Sequence, residues 1–324
     1  MLTGTRTEPL APAQELPPLP LAEWRPTKDT LHLYVQIVGK IRLATTPLRN
    51  HWWNVPLYVD PRGLTTRRMR QGNVSFSIDF DFIDHELRIR TDRGETSAIE
   101  LRDGLSVAGF HDRLMDLLDD VGIDVAIRAE PFGVPMTTPF ADDREHASYD
   151  AGAVERWWRI VAWADWVLEG FSGWFSGKSS PVHLFWHGLD LAVTRFSGRP
   201  APPMPDADPV TREAYSDEVI SMGFWAGDDE LGDAAFYCYT APEPAALADQ
   251  PLRPDEAFWL PFRGGNMALL RYDDVRVAPA PHEALLRFLQ SAYDAGAKTA
   301  GWPAEELRSN WSPPPGRLEV LAGH

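Results

Sequence analysis

Between Val74 and Phe82 apolar and polar residues alternate without a break. Val74, Phe76, Ile78, Phe80 and Phe82 take one parity, and Ser75, Ser77, Asp79 and Asp81 take the other. Successive side chains of a strand point to opposite faces, so this segment reads as a strand with one face in a core and one in water. One-sided cover is characteristic of antiparallel sheets, because parallel sheets are enclosed on both faces. Asp84 to Glu86 then turns the chain into Leu87–Arg90, a hairpin partner. Such a sheet needs helices on its apolar side.

The helical periodicities are present. Thr27 or Asp29 is expected to cap a helix carrying Leu31, Tyr34, Val35, Val38 and Ile41, which ends at Pro47. Ser106 caps a second, with Val107, Phe110, Leu114, Leu117, Leu118 and Val121 on one stripe and Gly122 as its stop. Asp150 caps a third, with an aromatic face of Trp157, Trp158, Val161, Trp163, Ala164 and Val167. A last helix carries Leu285, Leu286, Phe288, Leu289 and Tyr293. Strands are expected at His51–Val59, Ile123–Arg128, through 181–196, and at Glu218–Trp225, Ala235–Thr240 and Met267–Tyr272. The fold class is α+β: two similar helix–antiparallel-sheet–helix halves, with helices packed on the sheets. The division is an extended Pro-rich lead-in at 1–26, a first half at 27–135, a second half at 136–300 and a surface tail at 301–324. Sliding one half along the other sets Pro47 on Pro181, Trp52 on Trp186, Leu57 on Leu191 and Val59 on Val193, which raises a possible internal duplication.

Charge and cysteine content narrow the function classes. The 324 residues carry a formal net charge of −16, and no basic run is longer than Arg67 and Arg68. Nucleic acid and anionic membrane surfaces are poor partners for such a chain. One cysteine, Cys238, excludes a disulfide framework or a multi-cysteine metal site within the chain, and a buried inert thiol is expected there. No signal-peptide pattern and no long apolar span are visible, so a soluble, cytoplasmic protein is expected. The excess of Arg over Lys suggests a host of high GC content. Thirteen Trp and fifteen Phe supply unusual aromatic bulk for cores or pockets.

The chemistry concentrates in Ser179–Arg199, where two histidines, an aspartate and two arginines interrupt an apolar run. Read as one central strand covered on both faces, it places His183 and His187 roughly 13 Å apart at about 3.3 Å per residue. That is too far to share a metal ion, and no metal site is assigned. Asp190 and Arg195 need partners, either each other as a core ion pair or a ligand; Arg195 or Arg199 would then grip a carboxylate or phosphate. The catalytic candidates are His183, Asp190 and Glu218, the last as general base. The ligand-binding candidates are His51, Trp186, Arg195 and Tyr237. Asp79 and Asp81 suit either a solvated strand face or a hard cation. The glycines of Gly170–Ser179 lack the spacing and context of a phosphate loop, and no nucleophile elbow occurs, so neither is assigned and the cofactor is unknown.

Several longer stretches share a pattern: Glu23–His32, Gly39–Leu43, His51–Val59, Ser148–Asp150 and Pro181–Arg199. Together they resemble an uncharacterised bacterial family known only as a domain of unknown function, over about residues 17–300. That family's pattern has Trp-Gly-Ser where this chain has Trp186, His187 and Gly188, and a histidine in place of Asp217. The resemblance implies a single family fold and no catalytic assignment. Two readings follow. One is a small-molecule enzyme or ligand-binding protein with an aromatic pocket between the halves. The other is a non-catalytic structural or interaction protein.

Overall fold

A computed structural model of the chain describes residues 16–262 and 264–309. It opens with α1 (Leu21–Thr45), buried along nearly its whole length. The helix therefore starts six residues before the expected boundary, and Thr27 is inside it. Pro26 falls in the second turn, where it forgoes one backbone hydrogen bond. Burial outweighs that loss, because Trp24 is enclosed and stacks on Trp157 with centroids 6.3 Å apart. The Thr27 hydroxyl accepts instead from the backbone N–H of Asp150 (3.0 Å), tying α1 to a helix far along the chain.

The first sheet contains β1 (Tyr58–Asp60), β2 (Gly63–Thr65), β3 (Met69–Gln71), β4 (Val74–Asp81), β5 (Glu86–Thr91) and β6 (Thr96–Glu100). Its order is β1-β2-β4-β5-β6, with β3 also paired to β4, and every pairing is antiparallel. The alternation of β4 is reproduced in its burial up to Phe80. Asp81 departs from it: the carboxylate is buried and receives Arg62 (2.6 Å) and Arg88. These arginines hold its pKa below the usual carboxylate range, so Asp81 is an ion-pair hub and not a solvated residue. Next comes α2 (Val107–Asp120), whose first turn is closed by Gly109 N–H donating to Ser106 Oγ (3.1 Å). Gly122, at φ 75°, ends it.

After α3 (Ala151–Ser172), capped as expected by Asp150, comes the second sheet. Its strands are β7 (His183–Phe185), β8 (Asp190–Pro200), β9 (Asp217–Trp225), β10 (Ala235–Ala241), β11 (Phe258–Phe262) and β12 (Gly265–Arg271), in the order β11-β12-β10-β9-β8-β7. A short α4 (Pro209–Ala214) lies between β8 and β9, while α5 (Tyr272–Arg276) and α6 (Pro281–Thr299) close the described chain. The second sheet ends in a flipped hairpin that has no counterpart in the sequential first sheet.

Two expected strands are corrected. His51–Val59 is mostly a 3-10 turn (Asn50–Trp52) and loop, and only Tyr58 and Val59 enter β1. Ile123–Arg128 joins no sheet; its apolar residues Ile123 and Val125 are buried alternately as an extended segment. The edges of the two sheets meet at one bridge. Leu57 N–H donates to Leu184 O (2.9 Å) and Leu184 N–H to Leu57 O (2.8 Å). One continuous hydrophobic cluster includes α1, α2, α3, α6 and the inner faces of both sheets. Among the described residues no helix is long and apolar enough to cross a membrane.

Candidate functional site

The Ser179–Arg199 ribbon is a hairpin and not a single central strand. Residues Trp186–Leu189 form a turn, with Leu189 in the left-handed region at φ 51°. β7 folds back on β8 so that His183 faces Ala192 and Phe185 faces Asp190. The fold-back places β7 at the end of its sheet, beside β1.

Helix α1 holds this turn in place. Lys28, His32, Gln36 and Lys40 recur every fourth residue and are all buried, forming a polar stripe along the helix. His32 Nε2–H donates to the carbonyls of Trp186 (3.0 Å) and His187 (3.1 Å). Burial lowers its pKa to about 3, so the ring is neutral in this role. Gln36 exchanges two 2.9 Å hydrogen bonds with the backbone of Phe132. The Trp186 indole lies flat on Gly39, where a Cβ would stand 2.2 Å from its Cγ, and Lys40 Nζ sits 5.5 Å from its centroid. The Phe132 ring completes the frame, 6.3 Å from Trp186 and 6.2 Å from His187.

Asp190 leaves this turn on the face of the second sheet opposite α3 and α6. Tyr237 donates its hydroxyl to Asp190 Oδ2 (2.7 Å), and Gly223 leaves room for the phenol beside it. Tyr237 stacks on Tyr239 (6.2 Å), whose hydroxyl is 3.1 Å from that of Tyr215. Trp225, Phe258, Leu260, Met267 and Leu269 cluster with them on the same face. Burial raises the pKa of Asp190, while His187 and the Tyr237 hydroxyl pull it back. Among the described residues no Lys or Arg forms an ion pair with it. A carboxylate so placed can take a proton, and Tyr237, whose own pKa is pushed well up by burial, remains a hydrogen-bond donor.

The other expected residues are dispersed. Arg195 points to the helical side, five positions from Asp190, so the two form no ion pair. Its guanidinium donates to Phe171 O (2.6 Å) and lies among the rings of Phe171 (3.9 Å), Tyr293 (4.5 Å) and Phe175 (5.0 Å). Burial lowers its pKa to about 10. Glu218 is not poised as a general base, because it accepts from Arg199 Nη2 (2.7 Å) and Nε (2.9 Å). Arg199 also donates to Ala300 O (2.8 Å) and Gly301 O (3.2 Å), so the pair closes the C-terminal end of α6. His183 is fully buried beside Tyr58 and Phe185.

His51 belongs to a separate cluster. Lys178 Nζ donates to His51 Nε2 (2.6 Å) and Asp217 Oδ2 (2.7 Å), and His51 Nδ1–H to Glu213 O (3.2 Å). His51 and Trp52 both adopt left-handed backbone, at φ 53° and 60°, to bring the ring there. Lys178 was not among the expected residues, since its partners come from segments far apart in the chain. The polar stripe of α1 was missed too, although its four-residue spacing is visible once the helix is known to be buried.

These features define an α+β protein with two edge-bridged antiparallel sheets and a carboxylate–tyrosine pair on the face of the second. The chain belongs to the family of unknown function DUF5996, which it matches over residues 16–309. No curated protein and no solved structure matched it.

Proposed function

We propose that the protein binds, and acts on, a small molecule at the Asp190–Tyr237 pair, framed by the aromatic residues of the second sheet's face opposite α3 and α6. One observation carries this reading. Asp190 is a carboxylate with a raised pKa, hydrogen-bonded to a tyrosine and without an ion-paired cation among the described residues. Such a group is unfavourable for folding, and carboxylates are kept in this state where proton transfer or ligand contact uses them. Asp190 is the proton acceptor and Tyr237 the hydrogen-bond donor. Lys40, Phe132 and Trp186 secure the turn that presents them. The lone, buried Cys238 leaves no intrachain disulfide requiring an oxidising compartment, which supports a cytoplasmic location.

The test is a thermal-shift screen of metabolites on wild type and Asp190→Asn. A ligand at about 100 times its Kd raises stability by roughly 2.7 kcal/mol. A compound that stabilises wild type and leaves the variant unmoved supports the reading. Hits that shift both proteins equally, or no hit, replace it with a non-catalytic structural role.

A further inference from the structure

The polar groups at the first-sheet end of β7 differ from those around Asp190. The Tyr58 ring carries the Arg67 guanidinium at 3.3 Å from its centroid and that of Arg42 at 5.6 Å. His183 meets the same ring edge-on at 6.3 Å. Arg49 is close enough to Arg42 for mutual repulsion. Elsewhere in this acidic chain arginines such as Arg62, Arg88 and Arg90 are paired with carboxylates. Among the described residues Arg42, Arg49 and Arg67 have no such pair. The acidic group that senses Arg67 from α3 is Asp165; burial first, then Glu169, pushes Asp165 up to about 7, so its charge is incomplete near neutrality.

Three buried polar atoms here lack a partner: both ring nitrogens of His183 and Nε of Arg42. Burial, together with the two arginines, keeps His183 neutral, with one N–H to donate. Arg67 is the exposed member of the cluster. Its turn is left-handed at φ 55° and is pinned by Arg67 N–H donating to Thr65 Oγ1 (2.9 Å) and by the Thr66 hydroxyl donating to Arg67 O (2.9 Å). Arg42 Nη1 donates to Thr66 O, which leaves its Nε free. An orphaned donor on each of Arg42 and His183, guanidiniums without a carboxylate and a pinned entrance residue call for an anion with several acceptor oxygens.

We propose that Arg42, Arg67 and His183 form an oxyanion subsite that holds a carboxylate or phosphate group of a small ligand beside the Tyr58 ring. Arg67 leaves the ring to admit the group and closes over it with a bidentate fork. The subsite shares β7 with the Asp190 centre, since Phe185 touches His183 (4.6 Å) and pairs with Asp190 across the hairpin. It rests on the small-molecule reading only for the rest of the ligand.

Isothermal titration with inorganic phosphate and with acetate, at constant ionic strength, tests it. Saturable binding with a Kd on the order of 1 mM is expected for one of the two. Phosphate alone assigns a phosphate ester, and acetate alone a carboxylate. Arg67→Gln, at an exposed position that does not threaten folding, is expected to weaken binding about tenfold, as for one lost charge-assisted hydrogen bond. Arg67→Lys should fall between the two. Asp190→Asn should bind the anion as wild type does, so failure of the Asp190 reading leaves this result intact. Saturation by neither anion, or undiminished binding by Arg67→Gln, overturns the subsite.

Discussion

At Gly39 two effects of known size oppose each other. Alanine gains about 1 kcal/mol over glycine in a helix interior. Here its methyl would stand 2.2 Å from Cγ of Trp186, and overpacking of that kind costs roughly 1–3 kcal/mol. Gly39→Ala is therefore expected to lower Tm, and Gly39→Ala with Trp186→Leu to recover part of the loss; a Tm equal to wild type would show that the indole can move aside. Asp165 gives a pH-dependent test. Its pKa is 3.8 in a free chain and about 7 in the fold. A raised carboxyl contributes stability that is complete below 3.8 and lost as pH rises through 7. Asp165→Asn removes that loss, so wild type should weaken relative to the variant between these limits in chemical denaturation, with the gap constant above them. A gap that shrinks across this window would mean that Arg67 dominates the site.

At the scale of elements, short-range signals were legible and long-range ones were not. The Val74–Phe82 alternation, the Ser106 and Asp150 caps and the Gly122 stop all operate within one element, and each appears where the residues indicated. Ser106→Ala should cost about 1 kcal/mol in urea unfolding, with the slope of the transition unchanged. A change in slope would point to a wider rearrangement. The start of α1 is not legible in the sequence because prolines normally end helices, whereas tertiary burial of Trp24 overrides that preference. The 181–196 segment reads as one strand because its apolar run has no strong turn signal beyond Gly188; Leu189 supplies the left-handed residue in its place. β11 was hidden by Pro261, a residue rare in strands except at an edge, which is where β11 lies. For the site, Asp190 and Tyr237 were named from sequence, and their contact depends on the β8–β9–β10 register. The removal of Glu218 and Arg195 from that site depends on which face each occupies.

At the scale of the molecule, the core is continuous, and buried α1 shares it with residues of both sheets. Unfolding should therefore be one transition, with far-UV circular dichroism and tryptophan fluorescence superimposing and the calorimetric and van't Hoff enthalpies equal. Two resolved transitions would show that the two sheets melt separately. The Leu57–Leu184 bridge has a consequence of another kind. Every strand at the border of a sheet offers unpaired amides and carbonyls to which a neighbouring polypeptide can add. By linking Leu57, just before β1, to β7, the protein covers part of two of its five such borders with a single pair of hydrogen bonds. Of the remaining three, β11 contains a proline that cannot donate, β6 is five residues long and ends in Glu100, and β3 is only three residues long. Disruption of the bridge, as by Leu184→Pro, should therefore be felt first in concentrated solution, as a tendency of the chains to associate.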